Sequence, residues 1–100
     1  MKVLDIELRY SLRMFVAYES LTGEPFTGGT VSSAINLLVA AIATSKDVMD
    51  GSKTMPTLDA IYDAIDADEK LLTDFSAWIA ASGKPSELII GDAEDGEKKS

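Results

Sequence analysis

Between Val3 and Arg9 the chain alternates, with Leu4, Ile6 and Leu8 on one side and Val3, Asp5, Glu7 and Arg9 on the other. That period of two predicts a half-buried β-strand. From Ser11 the period changes. Met14, Ala17, Tyr18 and Leu21 recur at i, i+3, i+4 and i+7, and Leu12, Phe15 and Val16 widen the stripe into the buried face of a helix. Ser11 is placed to cap this helix and Gly23 to end it. Glu24 to Gly29 reads as a loop, because Pro25 disfavours helix at Glu24 and the paired glycines permit a sharp reversal.

Thr30 can cap a second helix over about Val31 to Thr44, with Val31, Ala34, Ile35, Leu38 and Ile42 on one face and Leu37, Ala40 and Ala41 on the others. A helix apolar nearly all round is either central in the core or shared between its own domain and a partner. Ser45 to Pro56 reads as a long, mobile loop. Thr57 caps a third helix with Leu58, Ile61, Tyr62 and Ile65 inward and Asp59, Asp63 and Asp66 outward. A fourth carries Leu71, Leu72, Phe75, Trp78 and Ile79 and ends at Gly83 ahead of Pro85; helices three and four are expected to form a hairpin. Glu87 to Ile90 is a candidate edge strand for pairing with the N-terminal one. The expected architecture is therefore mainly α: a bundle of about four helices with a short N-terminal strand, one domain over 1–90, and a disordered acidic tail over 91–100.

Composition narrows the chemistry. With 46% hydrophobic and 26% charged residues, the 100-residue chain has the balance of one small globular domain. It contains neither cysteine nor histidine. That removes thiolate nucleophiles, cysteine-ligated metals, the commonest general base and the commonest metal ligand. The longest unbroken apolar run, Leu37 to Ala43, is far below the roughly 20 residues of a membrane span, and nothing at the N-terminus has the form of a secretory signal. A cytoplasmic protein is expected. The net charge of −8 is unevenly placed: residues 57–97 hold eleven acids against Lys70 and Lys84. Such a field repels nucleic acid and anionic lipid.

The remaining candidates for chemistry have plainer explanations. Asp63, Asp66, Asp68 and Glu69 lack the glycine and the distal glutamate of a calcium loop, so a solvated helix face is expected, with no metal and no cofactor. Glu19, a lone carboxylate in an apolar helix, has no local catalytic partner; an ion pair with Arg9, with Lys46 or with a base on a partner protein is the expectation. Trp78, Phe75 and Tyr62 stand at helical spacing among leucines and isoleucines, as core residues do. Gly28-Gly29 is followed by no phosphate-loop pattern.

The run Leu12-Arg13-Met14-Phe15-Val16-Ala17-Tyr18-Glu19-Ser20-Leu21-Thr22-Gly23-Glu24-Pro25-Phe26 resembles the tail assembly chaperones of long-tailed bacteriophages and prophages, in which a short strand precedes a helix ending in aromatic-Glu-x-Leu-Thr-Gly and then Phe. Asp59 to Ile79 is similar to the acidic and Trp-bearing helices that follow in that family. The resemblance covers roughly residues 3 to 80 and has no counterpart for Ser45 to Pro56 or the acidic tail. It implies a non-enzymatic viral protein that keeps the tape measure protein soluble in the host cytoplasm during tail assembly and is absent from the mature virion. The tail tube protein and further copies of the chain are candidate additional partners. The expected client surface lies on helices one and two, with Leu37, Val39 and Ala41 only partly covered in the monomer and Phe15 and Phe26 nearby. The alternative is an acidic nucleic-acid mimic or inhibitor that binds a basic host protein through Asp59, Asp63, Asp66 and Glu69.

Overall fold

The computed structural model describes residues 1–82, and the mainly helical architecture expected from the sequence is present. Strands β1 (Lys2–Val3) and β2 (Ile6–Glu7) precede helices α1 (Leu12–Thr22), α2 (Val31–Ala43), α3 (Lys46–Met49), α4 (Leu58–Ala67) and α5 (Leu71–Ser82). The expected strand over Glu87–Ile90 and the tail over 91–100 lie outside the described residues.

The N-terminal segment corrects the single-strand expectation. It doubles back as an antiparallel hairpin in which Val3 pairs with Ile6 and Lys2 with Glu7. The two loop residues, Leu4 and Asp5, both have positive φ (52° and 67°), the geometry that matches a two-residue connection to the twist of its strands. Folding back puts Val3 on the same side as Ile6, so Val3, Ile6 and Leu8 are buried while Leu4 turns out to solvent. Alternation in a continuous strand would have buried Leu4 instead.

Helix α1 buries Met14, Phe15 and Tyr18 and leaves Leu12, Val16 and Leu21 exposed. Gly23 ends it in the left-handed conformation (φ 82°), donating its N–H to the Glu19 carbonyl at 2.8 Å. Ser11 occupies the N-cap position without a capping hydrogen bond from its side chain. Helix α2 opens on a reciprocal capping box: Ser33 N–H donates to Thr30 Oγ1 at 3.0 Å, and Thr30 N–H donates to Ser33 Oγ at 3.3 Å. Contacts from α1, α3 and α5 then enclose α2, whose Leu37, Leu38, Ala40, Ala41 and Ile42 are all buried.

The expected loop over 45–56 is more structured than its composition suggests. It begins with α3, which packs against β2, and Ser45 is fully buried with its hydroxyl donating to the Ile42 carbonyl at 2.6 Å. Asp50 then makes a local turn, accepting the Ser52 N–H at 2.9 Å and the Lys46 ammonium at 3.3 Å. The hydrogen bonds from Ser52, and after them the Lys46 charge, hold the Asp50 carboxyl below the usual carboxylate range. Lys53 ties the segment to the hairpin turn by donating to the Asp5 carbonyl beside the Asp5 carboxylate.

Helices α4 and α5 contact each other, as the expected hairpin requires, but α4 presents less of its stripe than expected. Ile61 alone is buried there, Ile65 is half-buried, and Leu58 (50%) and Tyr62 (43%) remain exposed. On α5, Leu71 and Phe75 enter the core while Leu72, Trp78 and Ile79 are half-buried.

Two outcomes follow. Left-handed backbone costs a non-glycine residue about 1 kcal/mol. Replacing Leu4-Asp5 by Asn-Gly (Leu4→Asn with Asp5→Gly) should therefore raise stability by about 1 kcal/mol and the thermal midpoint by roughly 4–8 °C in a melting curve. Because the Asp50 pKa is depressed on folding, its turn is stabilised at neutral pH and loses that contribution as pH falls through the depressed value. Hydrogen exchange should show Ser52 N–H protected at neutral pH and released on acidification ahead of the buried amides of α2.

Candidate functional site

The α2–α5 interface is incomplete on one side. A groove of about 570 Å³ lies between the first turns of α2 and the Leu72–Ile79 stretch of α5, lined by Val31 and Ala34 from α2 and by Leu72, Ser76 and Ile79 from α5. Phe26 and the Gly28-Gly29 turn also line it, and the fully buried Leu37 and Phe75 form its floor. No residue lining it carries a charge. The nearest side-chain hydroxyls of the α2 cap are already engaged, since Thr30 and Ser33 bond to each other's backbone and Ser33 Oγ also donates to the Thr30 carbonyl at 2.9 Å. The groove is thus suited to receiving apolar side chains.

The loop that carries Phe26 is fixed by aromatic packing. Phe26 meets Phe15 at a ring-centroid separation of 6.0 Å and Tyr18 edge-on at 5.2 Å. Phe15 in turn meets Tyr10 edge-on at 5.6 Å, and Tyr10 meets Trp78 of α5 at 6.2 Å. Gly28, at φ 79°, lets the chain reverse beside the Phe26 ring, which lies 3.5 Å from where a Cβ would stand.

The five residues named from the sequence divide. Phe26 and Leu37 both line the groove, and Phe15 supports it from beneath Phe26. The expectation that Leu37 and Ala41 are only partly covered is corrected: they are 1% and 0% exposed, because α2 is packed by α1, α3 and α5 of its own domain. Phe15 is likewise buried, at 3%. Val39 is the one α2 residue of the set that is half-buried as expected, and it lies outside the groove. Sequence reasoning missed the α5 wall, having assigned Leu72 and Ile79 wholly to the core. Tyr62, also assigned to the core, is exposed, and Trp78 sits at its margin, stacked on Phe75 at 5.9 Å.

Elsewhere the surface is acidic and separated. Asp59, Asp63, Asp66, Asp68 and Glu69 are all exposed, and among the described residues no three carboxylates converge on a point that could hold a cation. Glu19 pairs with neither Arg9 nor Lys46 within the chain. Lys46 is engaged by Asp50, Arg9 donates from Nε to the Thr44 carbonyl at 3.2 Å, and Glu19 stands exposed on α1. The guanidinium groups of Arg9 and Arg13 both reach Met49 Sδ, at 3.6 and 3.9 Å. No helix among the described residues is long and apolar enough to cross a membrane.

The burial of Leu37 sets what its substitution does. Leu37→Ala should cost about 3 kcal/mol in a denaturant titration, and Leu37→Asp should abolish cooperative unfolding, so loss of binding in the latter reports a lost fold. No family model, curated protein or solved structure matches the chain. Its functional reading therefore rests on the groove and on the resemblance of its own residues.

Proposed function

We propose that the protein is a non-enzymatic tail assembly chaperone that holds an apolar helical segment of a tape measure protein in the α2–α5 groove and keeps it soluble in the host cytoplasm. The observation that carries this reading is an uncharged groove in a chain of net charge −8. Leu72 and Ile79 are seven residues apart, about 10 Å along α5, which is the length of two turns of a bound helix. A client with apolar residues at i, i+3, i+4 and i+7 would lay that face between Val31 and Ile79. The exposed carboxylates of α4 would then surround the coated client with negative charge, opposing association between complexes. The likeness of Leu12–Phe26 to the family motif supports the same reading, since Phe15 and Tyr18 pack against Phe26, which lines the groove. Tail tube protein and further copies of the chain are compatible additional partners.

The test uses variants that keep the fold. Val31 is 68% exposed at the first position of α2, where a carboxylate favours the helix dipole, and Ser76 is exposed on α5. The double variant Val31→Asp, Ser76→Asp should melt like the wild type yet lose co-purification with the tape measure protein of its own genome. Binding by the wild type should persist as salt is raised, because apolar burial is insensitive to screening. Retained binding by the double variant would refute the groove as the site. Collapse of wild-type binding with salt, together with capture of a basic host protein, would favour the acidic-mimic reading instead.

A further inference from the structure

We infer that the protein binds a second copy of itself through unlike faces, the exposed face of α4 in one molecule seating on a two-arginine patch beside α1 in the other. The patch is built from Arg9, Arg13 and Met49. Arg9 donates from Nε to the Thr44 carbonyl at 3.2 Å, which holds its stem and leaves the terminal nitrogens for other acceptors. Arg9 and Arg13 then meet on one atom, Met49 Sδ, at 3.6 and 3.9 Å. A thioether is a weak acceptor, and among the described residues no carboxylate pairs with either guanidinium. Two like charges are thus held side by side without a counter-charge, an arrangement that an incoming carboxylate relieves. Apolar surface adjoins them, since Leu12, Val16 and Met49 are all exposed.

The complement is on α4. At about 100° per residue, Leu58, Tyr62, Asp66, Asp59 and Asp63 follow one another around a single arc, apolar at one edge and acidic at the other. On α1 the order recurs with the opposite charge: Leu12, Val16, Ser20 and then Arg13. All of these side chains are exposed. The apolar pair of each helix can therefore pack on the other while the aspartates of α4 approach Arg13 and Arg9. Within one molecule α1 packs on α2 and α4 on α5, which leaves both faces open to a neighbour.

Charge placement selects this pairing over the symmetric ones. Laying α4 on α4 would oppose aspartates, and laying the arginine patch on itself would oppose guanidinium groups, so only the unlike faces attract. The net charge of −8 resists approach at long range, but it is screened beyond roughly 8 Å at physiological ionic strength, and the local match then decides the contact. None of the residues invoked lines the client groove, so the inference stands apart from the chaperone reading and its test needs no client.

Sedimentation velocity of the full-length chain, from micromolar to millimolar concentration, reads the outcome. The wild type should show a mass that rises above the monomer. The α1 variant Arg13→Glu, Val16→Glu and the α4 variant Leu58→Gln, Tyr62→Gln should each stay monomeric while melting like the wild type. Mixed in equal amounts, the two should form a pair, because each keeps the face that the other has lost. If Leu58→Gln, Tyr62→Gln unfolds the chain, Asp63→Lys with Asp66→Lys replaces it, both positions being exposed, and should likewise be monomeric alone. A wild type that stays monomeric throughout would overturn the inference, and the arginine patch would then belong to an acidic surface on a different protein. Self-association that persists in either variant, or a mixture that does not pair, would overturn it too. Gain or loss of tape measure binding bears on none of these outcomes.

Discussion

The packing of Phe26 against α1 is the contact on which the arrangement of the groove depends. The loop between α1 and α2 contains Pro25 and three glycines with positive φ, and its own backbone does little to select one course. Two aromatic partners supply the selection. Phe15 and Tyr18 lie three residues apart on the buried face of α1, so a single ring can touch both, and Phe26 does so at 6.0 and 5.2 Å. The Gly28-Gly29 turn and the Thr30–Ser33 capping box follow that ring in the chain and lead into the first turn of α2. The ring contacts continue from Phe15 through Tyr10 to Trp78, which joins the loop's aromatic cluster to α5.

The body of the protein separates its two surface chemistries by helix. Helix α2 contributes no charged residue at all, and the part of it not enclosed by α1, α3 and α5 becomes one wall of the groove. Helix α4 instead sits with only Ile61 fully inserted, which leaves its aspartates, Leu58 and Tyr62 in solvent. The acids are therefore carried on an element that contributes little to the core, and their mutual repulsion acts on α4 rather than on the tightly packed α1–α2 pair. A groove without charge and a surface dense in charge coexist because they are built on different helices.

How far the sequence disclosed this varies with the kind of information each feature needs. The positions of α1, α2, α4 and α5 and most caps were legible because they depend on local chemistry, whereas α3 lay in a stretch that read as loop: Thr30 and Thr57 cap as their neighbours require, and Gly23 ends α1 in the left-handed conformation. The hairpin was not legible. Its turn uses Leu4-Asp5 at positive φ, where the usual signal is Asn-Gly or Asp-Gly, so the alternation of Val3 to Arg9 read as one straight strand. The burial of Leu37 and Ala41 was missed because periodicity reports which face is apolar but not how many neighbours cover it. Leu37 shows the limit well, being both fully packed and the groove's floor.

The α5 wall was, in retrospect, encoded in the width of its stripe. At about 100° per residue, Leu71, Phe75 and Trp78 cluster within roughly 60° of one another, whereas Leu72 and Ile79 fall about a quarter turn away. A helix that needs only a core contact has no use for that second pair. The same reasoning applied to α4 places Leu58 and Tyr62 together and Ile61 at the stripe's edge, and it is Ile61 that the structure buries. In both helices the apolar arc is wider than the arc the core accepts. On α4 the surplus is left in water beside aspartates; on α5 it faces α2 across an uncharged gap. Surplus apolar surface alone does not make a binding site. What distinguishes Leu72 and Ile79 from Leu58 and Tyr62 is an opposing wall, Val31 and Ala34 of α2, which turns a half-buried stripe into a groove with Leu37 and Phe75 as its floor.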